Sequence, residues 1–167
     1  MAAGHEETVA ALQAFLDDHP FLSALSVELV AVEPGAVTMQ IPYDRDYTNP
    51  ADDGARPMHG GVIATLVDTA SAFALRAQSD RPGELSLATI DMTVSYLRPA
   101  TGTIEADASV IRAGDSVGVT EVDVRGAVGE EKGDADGDGD RDENPTMESN
   151  PLVASGMTNY RIFGGMD

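Results

Sequence analysis

The chain has 167 residues, of which 42% are hydrophobic, so it is long enough to bury the core of one domain. Its 29 acidic and 10 basic residues give a formal net charge of −19 at pH 7. This charge excludes a nucleic-acid binder that relies on a basic patch, and it argues against docking on anionic membranes.

The absence of cysteine and of long apolar segments further narrows the class of protein to which the chain can belong. With no Cys, the chain has no disulfides, no thiolate zinc site and no Cys nucleophile. The N-terminus lacks the pattern of a signal peptide, and no run approaches the ~20 apolar residues of a membrane span. We therefore expect a soluble cytoplasmic protein, and the acidity is typical of proteins that work in concentrated salt.

The first half of the chain predicts one helix, two strands and a loop. Apolar residues recur at helical spacing over 6–18, and His19-Pro20 ends that helix. Two alternating strands over 26–42 flank the turn Glu33-Pro34-Gly35. Residues 43–58 are rich in Pro, Asp and Gly, which is typical of a loop.

The second half predicts a buried helix followed by strands. Residues 60–77 are apolar on nearly every side, as expected of a helix inside a core. Alternating patterns then predict strands at 86–98, 103–112 and 117–125, interpreted as an antiparallel meander, and a last strand at 152–163. The combination predicts an α+β fold with one antiparallel sheet curled around one helix.

An acidic segment interrupts the strand pattern at 128–150. It holds nine acids and two bases and almost no apolar residues, so it cannot offset its ordering entropy by burial. We predict a disordered insertion within a single domain, 1–167, whose residues 1–20 are an N-terminal helical segment. The run from Asp134 to Gly139 resembles part of a calcium loop, but the twelfth position is Pro145 rather than an acid, so we expect no metal site.

The first candidate for chemistry is the start of the apolar helix, where His59, Gly60 and Gly61 precede the first turn. Glycine allows a ligand to approach the backbone closely. The first amides of a helix are unpaired and lie at its positive end, where they can hold an anion or a polarised carbonyl oxygen. The alternative is that Gly-Gly is only the turn into a packed helix.

The second candidate is Asp68, an acid inside the apolar helix with no Lys or Arg three or four residues away. A lone carboxylate there is costly unless it is hydrogen-bonded or functional; the alternative is a structural acid at a helix surface or subunit contact. Gly60 and Asp68 are ~12 Å apart along a helix at ~1.5 Å per residue, so one carbonyl cannot touch both on one chain. A two-fold dimer could bring Gly60 of one subunit near Asp68 of the other.

The helix motif from His59 to Ala70 resembles the signature of hotdog-fold acyl-CoA thioesterases, most closely the PaaI-like group. The stretches Val30–Gly35 and Ile90–Pro99 support the resemblance, which covers about 20–127 and 151–163. It implies a hotdog fold, an antiparallel sheet wrapped around one long buried helix. It also implies hydrolysis of an acyl-CoA thioester without metal or organic cofactor, in a homodimer or a dimer of dimers.

The resemblance also assigns roles to residues. Gly60 matches the glycine whose amide polarises the thioester carbonyl, and Asp68 matches the acid that attacks it or activates water. Asn49 resembles the loop Asn that helps hold the carbonyl or the water, although it lies ten positions before His59. Thr89, expected on the polar side of its strand away from Ile90 and Met92, matches a hydroxyl near the acid.

Three further residues are expected near the substrate, together with His59, which fits the motif and could brace the loop. They are Gly61 beside Gly60, and Arg56 and Arg98, which could meet the anionic CoA. Two alternatives stay open: a protein that binds acyl-CoA or an aromatic ligand without turnover, and an enoyl-CoA hydratase. The hydratase is disfavoured because no His follows Asp68 at suitable spacing.

Overall fold

A computed structural model describes residues 4–51, 56–128 and 150–166. The acidic insertion expected at 128–150, with its calcium-like run, lies outside the described residues except at its two ends. The elements, in chain order, are α1 (His5–Asp17), α2 (Pro20–Ala24), β1 (Glu28–Glu33), β2 (Ala36–Ile41), a 3₁₀ turn (Arg45–Tyr47), α3 (Gly60–Gln78), β3 (Ser86–Tyr96), β4 (Ile104–Ala113), β5 (Val117–Gly126) and β6 (Leu152–Phe163).

The predicted helices and strands are confirmed to within a few residues. Two short elements were not predicted, namely α2 and the 3₁₀ turn inside the expected loop. Pro20 ends α1 as expected, but it also begins α2, because proline fits the first position of a helix. No helix in the described part of the chain has the length and hydropathy of a membrane-spanning segment.

The six strands form one antiparallel sheet in the order β1-β2-β4-β5-β6-β3, and α3 contacts all six of them. Helix residues such as Leu66, Val67 and Ala70 are completely buried against the sheet. The sheet contributes the inward-facing residues of its alternating strands, including Met39 and Val124. The expected arrangement, one sheet curled around one buried helix, is therefore confirmed.

The interpretation of β3, β4 and β5 as a meander was wrong for β3. Strand β3 pairs with β6 at the sheet edge, whereas β4 pairs with β2 and β5. The connection lengths explain the difference. Three residues, 114–116, join β4 to β5 as a hairpin, whereas seven residues, 97–103, separate β3 from β4. Hairpin loops usually have two to about five residues, so the longer connection leaves β3 free to pair elsewhere.

A β-bulge in β3 changes which of its alternating side chains face α3. The register between β3 and β6 shifts between Thr89 and Asp91, so Ile90 is the extra residue and is 55% exposed. Thr89 was expected on the face opposite Met92, but both side chains point towards α3. A bulge inserts one residue into the alternation, and the period of two resumes in the opposite phase after it.

We expect the close contact between β6 and α3 at Gly156 to be essential for stability. A Cβ there would lie 2.7 Å from Val67 Cγ1 and 3.1 Å from Thr93 O, so Gly156→Ala should lower the free energy of unfolding by about 1–3 kcal/mol. Gly83→Ala is the matched control, because its Cβ would meet Ala11 Cβ at an ordinary 3.7 Å. Denaturant unfolding in molar salt measures both. Equal stabilities of the two variants would contradict the assignment.

Candidate active site

The first turn of α3 is organised by His59, which is the N-cap of the helix. Its Nδ1 accepts a hydrogen bond from the Gly61 N–H at 2.9 Å. In this arrangement Nδ1 carries no proton, and a Cβ on Gly61 would come within 2.9 Å of it. The Gly61 N–H is therefore already hydrogen-bonded within the protein, and this bond to the His59 ring stabilises the first turn of α3.

The Gly60 amide, by contrast, donates to no acceptor among the described residues. The Tyr96 hydroxyl, at the end of β3, donates to Gly60 O at 2.9 Å. The Tyr96 ring lies so close that a Cβ on Gly60 would meet it at 3.3–3.5 Å. The turn thus leaves one free N–H at the positive end of a 19-residue helix, a suitable donor for a carbonyl oxygen.

Asp68 is half-buried, and two hydroxyls from the sheet donate to one of its carboxylate oxygens. Thr89 Oγ1 lies 2.9 Å and the Tyr160 hydroxyl 2.6 Å from Asp68 Oδ1. The other oxygen, Oδ2, accepts no hydrogen bond from the described residues. The described ranges also show no salt bridge to Asp68, so its charge is balanced by neutral donors.

Two turns after Asp68, Arg76 is only 7% exposed. Its Nη1 donates to Pro82 O at 3.1 Å, and its guanidinium carbon lies 4.1 Å from the centre of the Phe15 ring. Burial lowers the pKa of Arg76, with the partial opposing effect of Tyr160. Arg76 therefore adds a buried positive charge on the same helix, and this charge interacts with Tyr160.

The loop residue Asn49 lies beside the start of α3. Its backbone N–H donates to Pro57 O at 2.9 Å, and the neighbouring Thr48 forms an isolated β-bridge with Met58. These contacts close the ten-residue gap between Asn49 and His59. The Asn49 side chain is half-buried and has no hydrogen-bond partner among the described residues.

The two predicted arginines lie at the same end of the fold. Arg98 follows β3 two residues after Tyr96, and its Nη1 donates to Leu152 O at 2.7 Å. Arg56 precedes the helix, and its carbonyl accepts a hydrogen bond from the Tyr43 hydroxyl at 3.0 Å. Neither guanidinium forms a salt bridge to a described residue.

Apart from the contacts of Asp68 with Thr89 and Tyr160, the face of α3 that carries Asp68 is left uncovered by the chain's own sheet. Around Asp68, the residues Ala64, Thr65 and Ala72 are only partly buried, whereas the opposite face is buried. Beside this face lies β3, an 11-residue strand whose outer edge pairs with no other described strand. Within one chain, both this face of α3 and the outer edge of β3 are therefore accessible to another surface.

A separate cavity of about 680 Å³ lies on the outer side of the sheet, away from Asp68. It is lined by acids that alternate with buried residues, among them Asp107, Glu121 and Asp123. The described residues contain no group of three or more side chains suited to hold a metal ion. The features suited to thioester chemistry are thus on the helix side of the sheet.

The sequence pattern missed Tyr160 and Tyr96, which contact Asp68 and Gly60. The alternating pattern identifies Tyr160 only as an apolar residue of the last strand. A usable signal was present, because a tyrosine on the inward side of a strand needs a partner for its hydroxyl. The sequence alone could not say which polar group of the helix that partner would be.

We expect Tyr160 to control part of the stability at alkaline pH. Burial, and next the Asp68 carboxylate, raise the pKa of Tyr160 far above its ordinary value. The unfolded chain releases this proton near pH ~10 and the folded chain does not, so the free energy of unfolding falls as the pH rises through that value. Denaturant unfolding at several pH values should show a shallower alkaline decline for Tyr160→Phe than for the wild type. Equal declines would contradict the buried contact.

Comparisons with known proteins agree with the motif. The thioesterase superfamily profile matches residues 58–132. A Halobacterium salinarum protein named an esterase is 44% identical over 119 residues, which cover 71% of this chain and 78% of the relative. Acyl-coenzyme A thioesterase 13 of Homo sapiens is 32% identical over 101 residues, which cover 59% of this chain and 66% of the relative.

A solved structure has the same fold. The Escherichia coli PaaI protein from the phenylacetic acid degradation operon matches with a TM-score of 0.73 at 19% identity, over 98% of this chain and 99% of that one. The hotdog fold and the resemblance to the PaaI-like group are therefore confirmed. The chain belongs to the thioesterase superfamily and is a thioester hydrolase.

Proposed function

We propose that the protein is an acyl-CoA thioesterase, which hydrolyses the thioester to a carboxylic acid and CoA. The observation that carries the proposal is a pair of unused groups on α3. The Gly60 amide has no acceptor and Asp68 Oδ2 has no donor among the described residues, whereas their neighbours Gly61 N–H and Asp68 Oδ1 are both occupied. The relatives named acyl-coenzyme A thioesterase support the choice of thioester.

The Gly60 amide would polarise the substrate. The thioester carbonyl oxygen gains negative charge as the carbon becomes tetrahedral. A backbone N–H at the positive end of a helix is aimed at that charge without reorganisation, which favours the transition state over the bound thioester. Asn49, whose backbone is held beside this turn, would help to position the carbonyl or the water.

Asp68 would either activate the attacking water or attack the carbonyl carbon itself. As general base, Oδ2 takes a proton from water while the water oxygen bonds to the carbonyl carbon and the CoA thiolate leaves. As nucleophile, Oδ2 itself bonds to the carbon and expels the thiolate, and water then cleaves the acyl-aspartyl anhydride. In both routes Thr89 orients the carboxylate through its hydrogen bond to Oδ1.

The two groups would meet across a homodimer. They are eight residues apart on one helix, ~12 Å at ~1.5 Å per residue, which is too far for one carbonyl to reach both. The open edge of β3 and the uncovered face of α3 offer a two-fold contact, and Ile90, Tyr96 and Leu97 are exposed apolar residues along it. Two such dimers could pair further into a tetramer.

The negative net charge of the chain would repel an anionic substrate such as acyl-CoA. Binding therefore requires that salt screens this charge or that cationic side chains offset it near the site. Arg56 and Arg98, beside the start of α3, would meet the phosphates of CoA, with Gly61 and His59 shaping the turn next to them. High salt would screen the rest of the repulsion. The net charge of −19 and the Halobacterium relative support a salt-rich intracellular medium.

Replacement of Asp68 tests the enzyme assignment. In molar salt, against a panel of aromatic, short-chain and medium-chain acyl-CoA thioesters, Asp68→Asn should lower kcat about a hundredfold or more while a non-hydrolysable CoA thioether still binds. Asp107→Asn, on the outer side of the sheet, is the matched control and should keep wild-type turnover. Unchanged hydrolysis in Asp68→Asn would refute its role. A wild type that binds but hydrolyses nothing would favour the non-catalytic alternative.

Removal of the Gly60 amide tests the cross-subunit site. Gly60→Pro deletes this N–H at the first helical position, where proline is tolerated, and His59 already has the extended backbone that precedes proline. Gly60→Ala adds a similar Cβ contact with Tyr96 but keeps the N–H, so it should lose less activity.

Subunit mixing then separates a shared site from a site within one chain. Co-refolded Gly60→Pro and Asp68→Asn chains form mixed dimers in which one of two shared sites is intact, so about a quarter of wild-type activity should return. A site confined to one chain predicts no recovery. An active monomer in sedimentation experiments at high salt would also contradict the dimer.

A further inference from the structure

The last strand, β6, brings a buried tyrosine directly to the carboxylate of Asp68. Tyr160 is only 3% exposed, and its Cα is the cross-strand partner of Thr89 in the pairing of β3 with β6. Both side chains point towards α3, and both hydroxyls donate to Asp68 Oδ1. Two neighbouring strands thus present two adjacent donors to one atom of the helix.

This pair of donors restricts the carboxylate more than either donor alone. The Tyr160 hydroxyl is 2.6 Å from Asp68 Oδ1 and also 2.6 Å from the Asp68 main-chain oxygen. The single proton of this hydroxyl is shared between the two oxygens, and contact with both the main chain and the side chain of Asp68 limits rotation about the bonds between them. With Oδ1 held from two strands, Oδ2 is the oxygen that remains for the substrate.

The environment keeps Tyr160 a donor under all ordinary conditions. Burial raises the pKa of its hydroxyl, and the adjacent Asp68 charge and hydrogen bond raise it further, with Thr89 and Arg76 acting in the opposite direction. Asp68 is the carboxylate that faces the hydroxyl, and Arg76 is the nearby cation. The proton therefore stays on Tyr160, and the hydroxyl remains able to donate.

We propose that Tyr160 is a positioning residue of the hydrolytic reaction, which together with Thr89 holds Asp68 Oδ1 and directs Oδ2 at the thioester carbon or its attacking water. This inference rests on the proposed role of Asp68. Tyr160 does not touch the substrate, so its removal should impair the chemical step and leave binding intact. A hydrogen bond to a charged group, lost in the transition state, corresponds to about a ten- to hundredfold lower kcat.

The test is the steady-state kinetics of Tyr160→Phe on a medium-chain acyl-CoA, with the fraction of folded protein measured separately. We expect kcat to fall about ten- to hundredfold with KM changed less than about threefold. Thr120→Val is the control, because its fully buried hydroxyl donates to the Thr158 carbonyl on β6 and not to Asp68, and it should alter stability without altering kcat. Thr89→Val, which removes the other donor, should show the same kcat-selective loss.

The outcomes separate this inference from the proposed function. An active wild type, an inactive Asp68→Asn and an unchanged kcat in folded Tyr160→Phe would overturn the role of Tyr160 alone. A wild type that hydrolyses no thioester would overturn both. If Tyr160→Phe does not fold, 3-fluorotyrosine at position 160 keeps the hydroxyl and makes it a stronger donor. In that protein kcat should change while KM does not, and an unchanged kcat would again overturn the inference.

Discussion

A carboxylate in the middle of a buried helix has to be satisfied by its surroundings, and this constraint links the helix, the sheet and the site. Asp68 has no cation within helical reach, so its charge is balanced by the hydroxyls of Thr89 and Tyr160 on two strands. These donors face the helix together because the bulge at Ile90 changes the phase of β3. Asp68 Oδ1 is held by these hydrogen bonds, and Oδ2 accepts none from the described residues. The contacts that pack β3 and β6 against α3 therefore also fix the orientation of the Asp68 carboxylate.

At the other end of the site, the hydrogen bonds of the first turn of α3 decide which backbone N–H remains available. His59 accepts a hydrogen bond from the Gly61 N–H and Tyr96 packs closely against Gly60, whereas the Gly60 N–H has no acceptor among the described residues. Because the free amide and the free carboxylate oxygen are on one rigid helix, their separation cannot change by local adjustment. A substrate that needs both therefore favours two copies of the chain, and the unpaired edge of β3 lies beside them.

The acidic side chains on the outer side of the sheet lie away from the candidate site. Asp107 and Asp123 lie directly opposite each other on β4 and β5, on the outer side of the sheet, where like charges repel at low salt. Concentrated salt screens that repulsion. The site itself contains one acid, Asp68, whose burial and hydrogen bonds differ from those of the outer acids. The acids on the outer side of the sheet and the half-buried Asp68 are therefore in different environments, one solvent-exposed and the other hydrogen-bonded by two hydroxyls.

The sequence by itself determined the main helices and strands and the buried helix, and it singled out Gly60 and Asp68 as candidate residues. Those features are local: the periodicity of 60–77, the glycines at its start and an acid without a partner are all readable within a few turns of chain. The tertiary structure decided the rest. The pairing of β3 with β6, the bulge that turns Thr89 inwards, and the meeting of Tyr160 with Asp68 join residues up to 92 positions apart. Which strands become neighbours depends on long-range packing and loop length, and no local pattern contains that information.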